Sequence, residues 1–249
     1  MIEDPKSPLN DQLGRITALE RRVEWACRAR PVSEAERRAG DRNRYDLFGS
    51  VGHSLLDLHI RMSDTSLDAV AASFEDLPRR LEPVIADVAA TGAPEAATLA
   101  NDLRAWLAQA DGYLRRRLSQ LRAAEVVELP DGRALRVGDE EFMLLCSVCG
   151  KTATLVVGDG NAISVETLSS DASVPRALAG ELFGALRAGG VRALHRFLVA
   201  HDRRGVSVFC PDCRRTYCKK HYSFRKELSG TWEVGATVTC PKGHSRELP

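Results

Sequence analysis

Phe209-Cys210-Pro211-Asp212-Cys213-Arg214-Arg215-Thr216-Tyr217-Cys218-Lys219-Lys220-His221 is the stretch on which the fold turns. It holds two short pairs, Cys210-x2-Cys213 and Cys218-x2-His221. Working outward, Cys146-x2-Cys149 lies upstream and Cys240-x3-His244 downstream. A tight turn within such a pair aims both donors at one metal ion, and Cys149-Gly150, Cys240-Pro241 and Gly243-His244 carry turn formers. Six Cys and two His give eight donors, which fill two tetrahedral sites with none left over. The mixed shell points to Zn²⁺, because iron–sulfur clusters favour all-Cys shells. With every donor used, neither zinc keeps a position for water, so two structural Zn²⁺ per chain are expected. Spacing leaves the pairing open. Sequential pairing puts Cys146, Cys149, Cys210 and Cys213 on one zinc. Interleaved pairing puts Cys146, Cys149, Cys218 and His221 on the first zinc, and Cys210, Cys213, Cys240 and His244 on the second.

The rest of the composition supports metal over disulfides. The N-terminal stretch has no apolar signal core, and no run approaches the roughly 18 apolar residues of a membrane helix. A cytoplasmic location with no membrane partner is therefore expected, where thiols stay reduced. The 249 residues carry 35 Lys+Arg against 34 Asp+Glu, a balance that excludes a globally basic nucleic-acid coat. No nucleotide-binding glycine loop, serine-hydrolase elbow or His-Glu-x-x-His is present.

Two regions follow from the patterning. Residues 1–125 read as a helical domain of three to five helices. Leu13, Ile16, Leu19 and Val23 form one apolar stripe, and Leu67, Val70, Phe74 and Leu77 another. Pro78 and Pro83 bracket an expected break. Thr91-Gly92-Ala93-Pro94 stops a helix, and the longest one runs from there to Arg122. Cys27 is read as a thiol on a helix. Residues 126–249 read as a β-rich zinc domain, so the fold class is α+β. Hairpins are expected around Pro130-Asp131-Gly132 and around Gly158-Asp159-Gly160-Asn161. Ser173 and Pro175 are expected to open a helix that Gly189-Gly190 interrupts. Val206 to Phe209 and Glu233 to Thr239 are further strand candidates.

Four pairs at this spacing resemble the cross-brace families: RING, PHD, FYVE and the zinc fingers of ubiquitin-pathway stress proteins. The likeness covers about residues 142–249. The interleaved ligand pairing is what the cross-brace implies. RING domains of ubiquitin ligases usually carry an aliphatic residue inside the first pair, a Trp before the last pair and a Pro after its first Cys. Val148, Trp232 and Pro241 match those positions. By that resemblance they would form a shallow groove for a ubiquitin-conjugating enzyme. Arg246, two residues past His244 where one is usual, stands near the place of the basic residue that contacts ubiquitin in many RINGs. The resemblance implies a ligase or adaptor that binds a conjugating enzyme and a ubiquitin-like protein and acts by positioning alone. The arginine-rich composition suggests a bacterial conjugation system. The chain departs from RING in three ways: 60 residues between Cys149 and Cys210, four between Cys213 and Cys218, and a last pair of Cys-x3-His. The first of these intervals holds an inserted hairpin and helix at about 152–200.

A different class of function competes. Residues 203–226 hold eight basic side chains against Asp212 alone, with Phe209, Tyr217, Tyr222 and Phe224 interleaved. Such a segment can grip phosphates and stack bases, so a zinc-stabilised nucleic-acid-binding protein is the alternative.

Overall fold

The computed structural model describes residues 8–28, 32–60, 66–158, 162–165, 172–201, 203, 205–229 and 232–248. It is α+β, with helices in the N-terminal half and small sheets in the C-terminal half. Two compact units divide the chain, Lys6–Arg122 and, for the most part, Ala123–Pro249.

The first unit is all helical: α1 (Pro8–Arg28), α2 (Glu34–Ile60), α3 (Leu67–Glu75), α4 (Leu77–Ala89) and α5 (Ala96–Ala123). The stripe on α1 turns inward, with Ile16, Leu19 and Val23 buried. Leu47, Phe48, Val51, Leu55 and Leu58 of α2 and Leu99, Leu103, Trp106 and Leu114 of α5 are buried as well. The Phe48 and Trp106 rings lie 5.5 Å apart. Buried Arg117 of α5 donates from Nε to the Leu58 carbonyl at 2.9 Å, which ties α5 to the last turn of α2. Ser66 caps α3 by accepting from the Ala69 amide at 3.1 Å. The expected break at Pro78 and Pro83 lies instead at Asp76, between α3 and α4. Pro78 occupies the first turn of α4, where its missing N–H has no partner to lose. Pro83 sits within α4 without ending it. Both Pro83 and Arg79 are exposed, so the carbonyl that loses its helical partner lies on the solvent side.

The second unit begins with a six-stranded antiparallel meander, β1 (Glu125–Leu129), β2 (Gly132–Gly138), β3 (Glu141–Leu145), β4 (Thr152–Gly158), β5 (Ala162–Val165) and β6 (Ala172–Pro175), in sequence order. The strand β3 joins the two expected hairpins into one sheet. Its Phe142, Met143 and Leu144 are all buried. Ser173 and Pro175 lie in β6, paired with Ser164 and Ala162, and do not cap a helix. Residues 159–161 of the second hairpin turn, and 166–171 beyond β5, lie outside the described residues. A 3-10 turn, Arg176–Leu178, leads into α6 (Ala179–Ala200).

The helix α6 covers one face of the sheet. Leu182, Phe183, Leu186, Val191, Leu194 and Leu198 share a core with Ala134, Phe142, Leu144, Val156, Ile163, Val165 and Val174. Gly190 breaks α6 with φ 72° and ψ −163°, a conformation that only glycine adopts without strain. Val206, Val208 and Phe209 extend the same core. Only Phe209–Cys210 is a strand there (β7), paired with β8 (Arg215–Thr216), so the strand expected at Val206 to Phe209 starts later. The unit ends in a three-stranded sheet of β9 (Ser223–Ser229), β10 (Trp232–Thr239) and β11 (Ser245–Leu248). No helix among the described residues is long and apolar enough to cross a membrane.

Candidate metal centre

Each donor pair sits on a turn whose backbone is pinned by hydrogen bonds. Between β3 and β4, the Gly150 amide donates to the Cys146 carbonyl at 2.9 Å, and the Cys146 amide to Lys151 at 2.7 Å. Gly150 has φ 70°, the left-handed geometry that closes this turn. Between β7 and β8, Arg214 takes the equivalent place with φ 50°, the only left-handed non-glycine residue among those described. Cys218 precedes a 3-10 turn in which the His221 amide donates to the Cys218 carbonyl at 2.8 Å. Between β10 and β11, the Gly243 amide donates to Cys240 at 2.9 Å, and the Cys240 amide to His244 at 3.0 Å. One bond ties two of these turns together: the Ser147 amide donates to the Thr216 carbonyl at 2.8 Å.

The turns gather their side chains into two clusters. Cys146, Cys149, Cys218 and His221 form the first, and Cys210, Cys213, Cys240 and His244 the second. Within each cluster the donor atoms all lie within 4.8 Å of one another. The structure therefore brings the pairs together in the interleaved order, first with third and second with fourth. In the first cluster, Cys149 Sγ and Cys218 Sγ are 3.8 Å apart, and His221 Nδ1 is 3.5 Å from Cys146 Sγ and 3.2 Å from Cys218 Sγ. In the second, Cys213 Sγ and Cys240 Sγ are 3.9 Å apart, and His244 Nδ1 is 3.7 Å from Cys210 Sγ and 3.5 Å from Cys240 Sγ. Three sulfurs and one imidazole nitrogen at these separations form the corners of a small tetrahedron, so each cluster can hold one metal ion.

The electrostatics of each cluster suit a cation. Burial pushes the Cys210 and Cys218 thiols up to about 11, helped by neighbouring cysteines. Burial also works against ionising Cys146, but backbone amides of Cys218, Cys149 and Val148 outweigh it and bring that thiol down to about 7. Cys240 likewise falls to about 7, as amides of His244 and Lys242 outweigh burial. Each cluster thus pairs one thiol primed to ionise with one that resists, and a divalent ion relieves the resistance.

A small core surrounds the clusters. Tyr217, Tyr222 and Val238 pack with Cys146, Cys210, Cys218 and Cys240, and the two tyrosine rings meet edge to face at 5.6 Å. The Tyr217 hydroxyl lies 3.2 Å from Cys213 Sγ, where it can donate to a thiolate. Sequence reasoning missed this partner. Its only trace is an aromatic residue directly before the third donor pair.

The other candidate positions lie outside the two clusters. Val148 is 55% exposed, and Pro241 is exposed as well. Trp232 opens β10, but its side chain lies outside those described. Arg246 lies in β11 and donates to the Ser207 carbonyl. Of the aromatics expected to stack on bases, Phe209, Tyr217 and Tyr222 are buried, because they form the cores under the knuckles. The side chain of Phe224 is outside those described. Cys27 of the helical unit is half-buried on α1.

Comparison with protein-family models, with curated proteins and with solved structures gives no match to the chain.

Proposed function

We propose that residues 142–249 hold a RING-like cross-brace with two structural Zn²⁺. In this reading the chain is a ligase or adaptor for a ubiquitin-like protein. One observation carries it: the donor pairs interleave around the two clusters, the order that separates cross-brace domains from serial zinc knuckles. Zinc suits the donor sets. A tetrahedron with metal–sulfur arms of ~2.3 Å has sulfur–sulfur edges of about 3.8 Å. The pairs measured here are 3.8 and 3.9 Å. Four donors complete each shell, so the metals would fix the fold and leave the reaction to others.

A domain of this kind forms no covalent intermediate. It holds a charged conjugating enzyme so that its thioester faces the acceptor amine, and the gain is one of proximity and orientation. Val148 and Pro241 stand on metal-pinned turns with their side chains outward, as a small docking surface requires. The long interval between Cys149 and Cys210 fits the reading once the sheet is seen: β4 leaves the first knuckle directly, and α6 covers the same sheet. The nucleic-acid alternative loses its stacking platform, since three of its four aromatics are interior.

The test is a reconstituted conjugation reaction with a matched activating and conjugating enzyme. Val148→Arg and Trp232→Ala should each slow product formation tenfold or more, about 1.4 kcal/mol, while two zincs stay bound. Full activity in both variants with full zinc overturns the docking assignment.

A further inference from the structure

A cleft of about 550 Å³ opens between the β1–β2 turn and the two Cys-x2-Cys knuckles. Arg133, Arg214 and Arg215 line it, together with Glu128 and Asp131. The arginines start from fixed backbone: Arg133 from β2, Arg215 from β8, and Arg214 from the left-handed knuckle position. Among the described residues no carboxylate pairs with these three guanidinium groups. Asp131 is committed elsewhere, because its two oxygens accept the Val191 and Arg192 amides at 2.8 and 2.6 Å. Beyond the lining stands Arg192, the second of the two residues whose amides Asp131 caps. There Arg196 and Arg214 repel its charge and hold its pKa below the ordinary guanidinium value. Three arginines thus line the cleft against two carboxylates, one of them already committed, and Arg192 adds positive charge beside Arg214.

We infer that this cleft binds a phosphate monoester. A carboxylate offers two oxygens and a single charge. A monoester offers three oxygens and close to two charges, and can accept forked hydrogen bonds from several guanidinium groups at once. Arginine is suited to this because its planar fork stays charged and pre-shaped. The same chemistry comes from a phosphorylated side chain or from a free nucleotide. A nucleic-acid strand is a poorer fit, since the neighbouring aromatics that would stack its bases are buried. The inference does not depend on the ligase reading, because neither Val148 nor Pro241 lines the cleft.

Calorimetric titration of the full zinc-loaded chain tests it. The probes are inorganic phosphate, a nucleoside monophosphate, a phosphoserine peptide with its unphosphorylated twin, and a single-stranded oligonucleotide. Saturable binding of inorganic phosphate and of one monoester is expected, weakened tenfold or more in Arg133→Gln/Arg214→Gln with both zincs retained. Preference for the peptide or for the nucleotide identifies the source. Arg215→Gln should weaken binding in the same direction. Absence of saturable binding by every monoester to the wild-type chain overturns the inference, whatever the variants do. So does tightest binding by the oligonucleotide with a steep loss in salt, which would mark a track for phosphodiesters. Loss of zinc in both the double variant and Arg215→Gln also overturns it, for the arginines would then serve to offset thiolate charge.

Discussion

The carboxylate of Asp131, in the β1–β2 turn, caps the second half of α6 directly across from Gly190. Its two oxygens take the amides of Val191 and Arg192. A methyl group on Gly190 would overlap that carboxylate, and φ 72° adds strain of its own. Gly190→Ala should therefore cost about 1–3 kcal/mol from the backbone conformation, plus about 1 kcal/mol from the displaced cap. Asp131→Ala should cost only the second of these. Urea unfolding of the zinc-loaded chain checks the order; a Gly190→Ala protein as stable as wild type would mean that the turn and the helix do not meet.

Metal removal should act on part of the second unit. The clusters sit in their own core with Tyr217, Tyr222 and Val238, whereas the six-stranded sheet and α6 share another. Chelation should expose amides from Cys210 to Leu248 to rapid exchange. Those of β2 to β5 and of α6 should stay protected, and so should the helical unit. Hydrogen exchange read by mass spectrometry decides this. Loss of protection throughout residues 125–248 would show that the metals support the sheet as well.

Tyr217→Phe isolates one hydrogen bond. The ring stays in its core and the donor to Cys213 is lost. Partners of this kind typically alter metal affinity by about 10–100-fold. Zinc should leave the second cluster at least tenfold faster and the first at an unchanged rate. Competition with a chromophoric chelator gives two phases in wild type, of which only one should move.

Affinity should climb with pH, and the sign follows from the thiols. A thiol must shed its proton to ligate, so binding releases protons and is favoured as pH rises. Cys210 and Cys218, held up to about 11, each release one at any pH below that value. Cys146 and Cys240, at about 7, add another below neutrality. Zinc affinity should thus gain about tenfold or more per pH unit, and the slope should steepen below pH 7. Competition titrations from pH 6 to 8 test both; a flat profile would show that the thiols are ionised before the metal arrives.

The eight donors were fully legible because each carries its meaning in a local spacing, and the structure groups the same eight. Their pairing was legible only as two alternatives, since spacing along the chain says nothing of which turns meet. The helix α2 shows no apolar stripe along its full length. Its buried apolar side chains begin at Leu47, after a charged first half in which only Gly40 is buried. Its start was nonetheless marked: Ser33 and Glu36 form a reciprocal capping box, with the Ser33 amide on Glu36 at 2.9 Å and the Glu36 amide on Ser33 Oγ at 3.3 Å. The strand β3 escaped because Phe142, Met143 and Leu144 are buried together, which erases the alternation that betrays a one-sided strand. Pro83 leaves α4 unbroken because it faces solvent, a property its place in the sequence does not display. The Asp131–Gly190 contact joins residues about sixty positions apart and leaves no local mark.

The interleaved clusters also set an order of events on the ribosome. A chain made from its N-terminus cannot complete the first cluster before His221, or the second before His244. By then every residue of the six-stranded sheet and of α6 has been synthesised. Domains of a growing chain fold as units as they emerge. The sheet and α6 therefore have the opportunity to assemble first, with Cys146 and Cys149 already positioned on the β3–β4 turn as a half-built receptor. Metal capture then follows assembly of the sheet, and a cell short of the metal would accumulate a folded sheet with residues 210–248 unanchored.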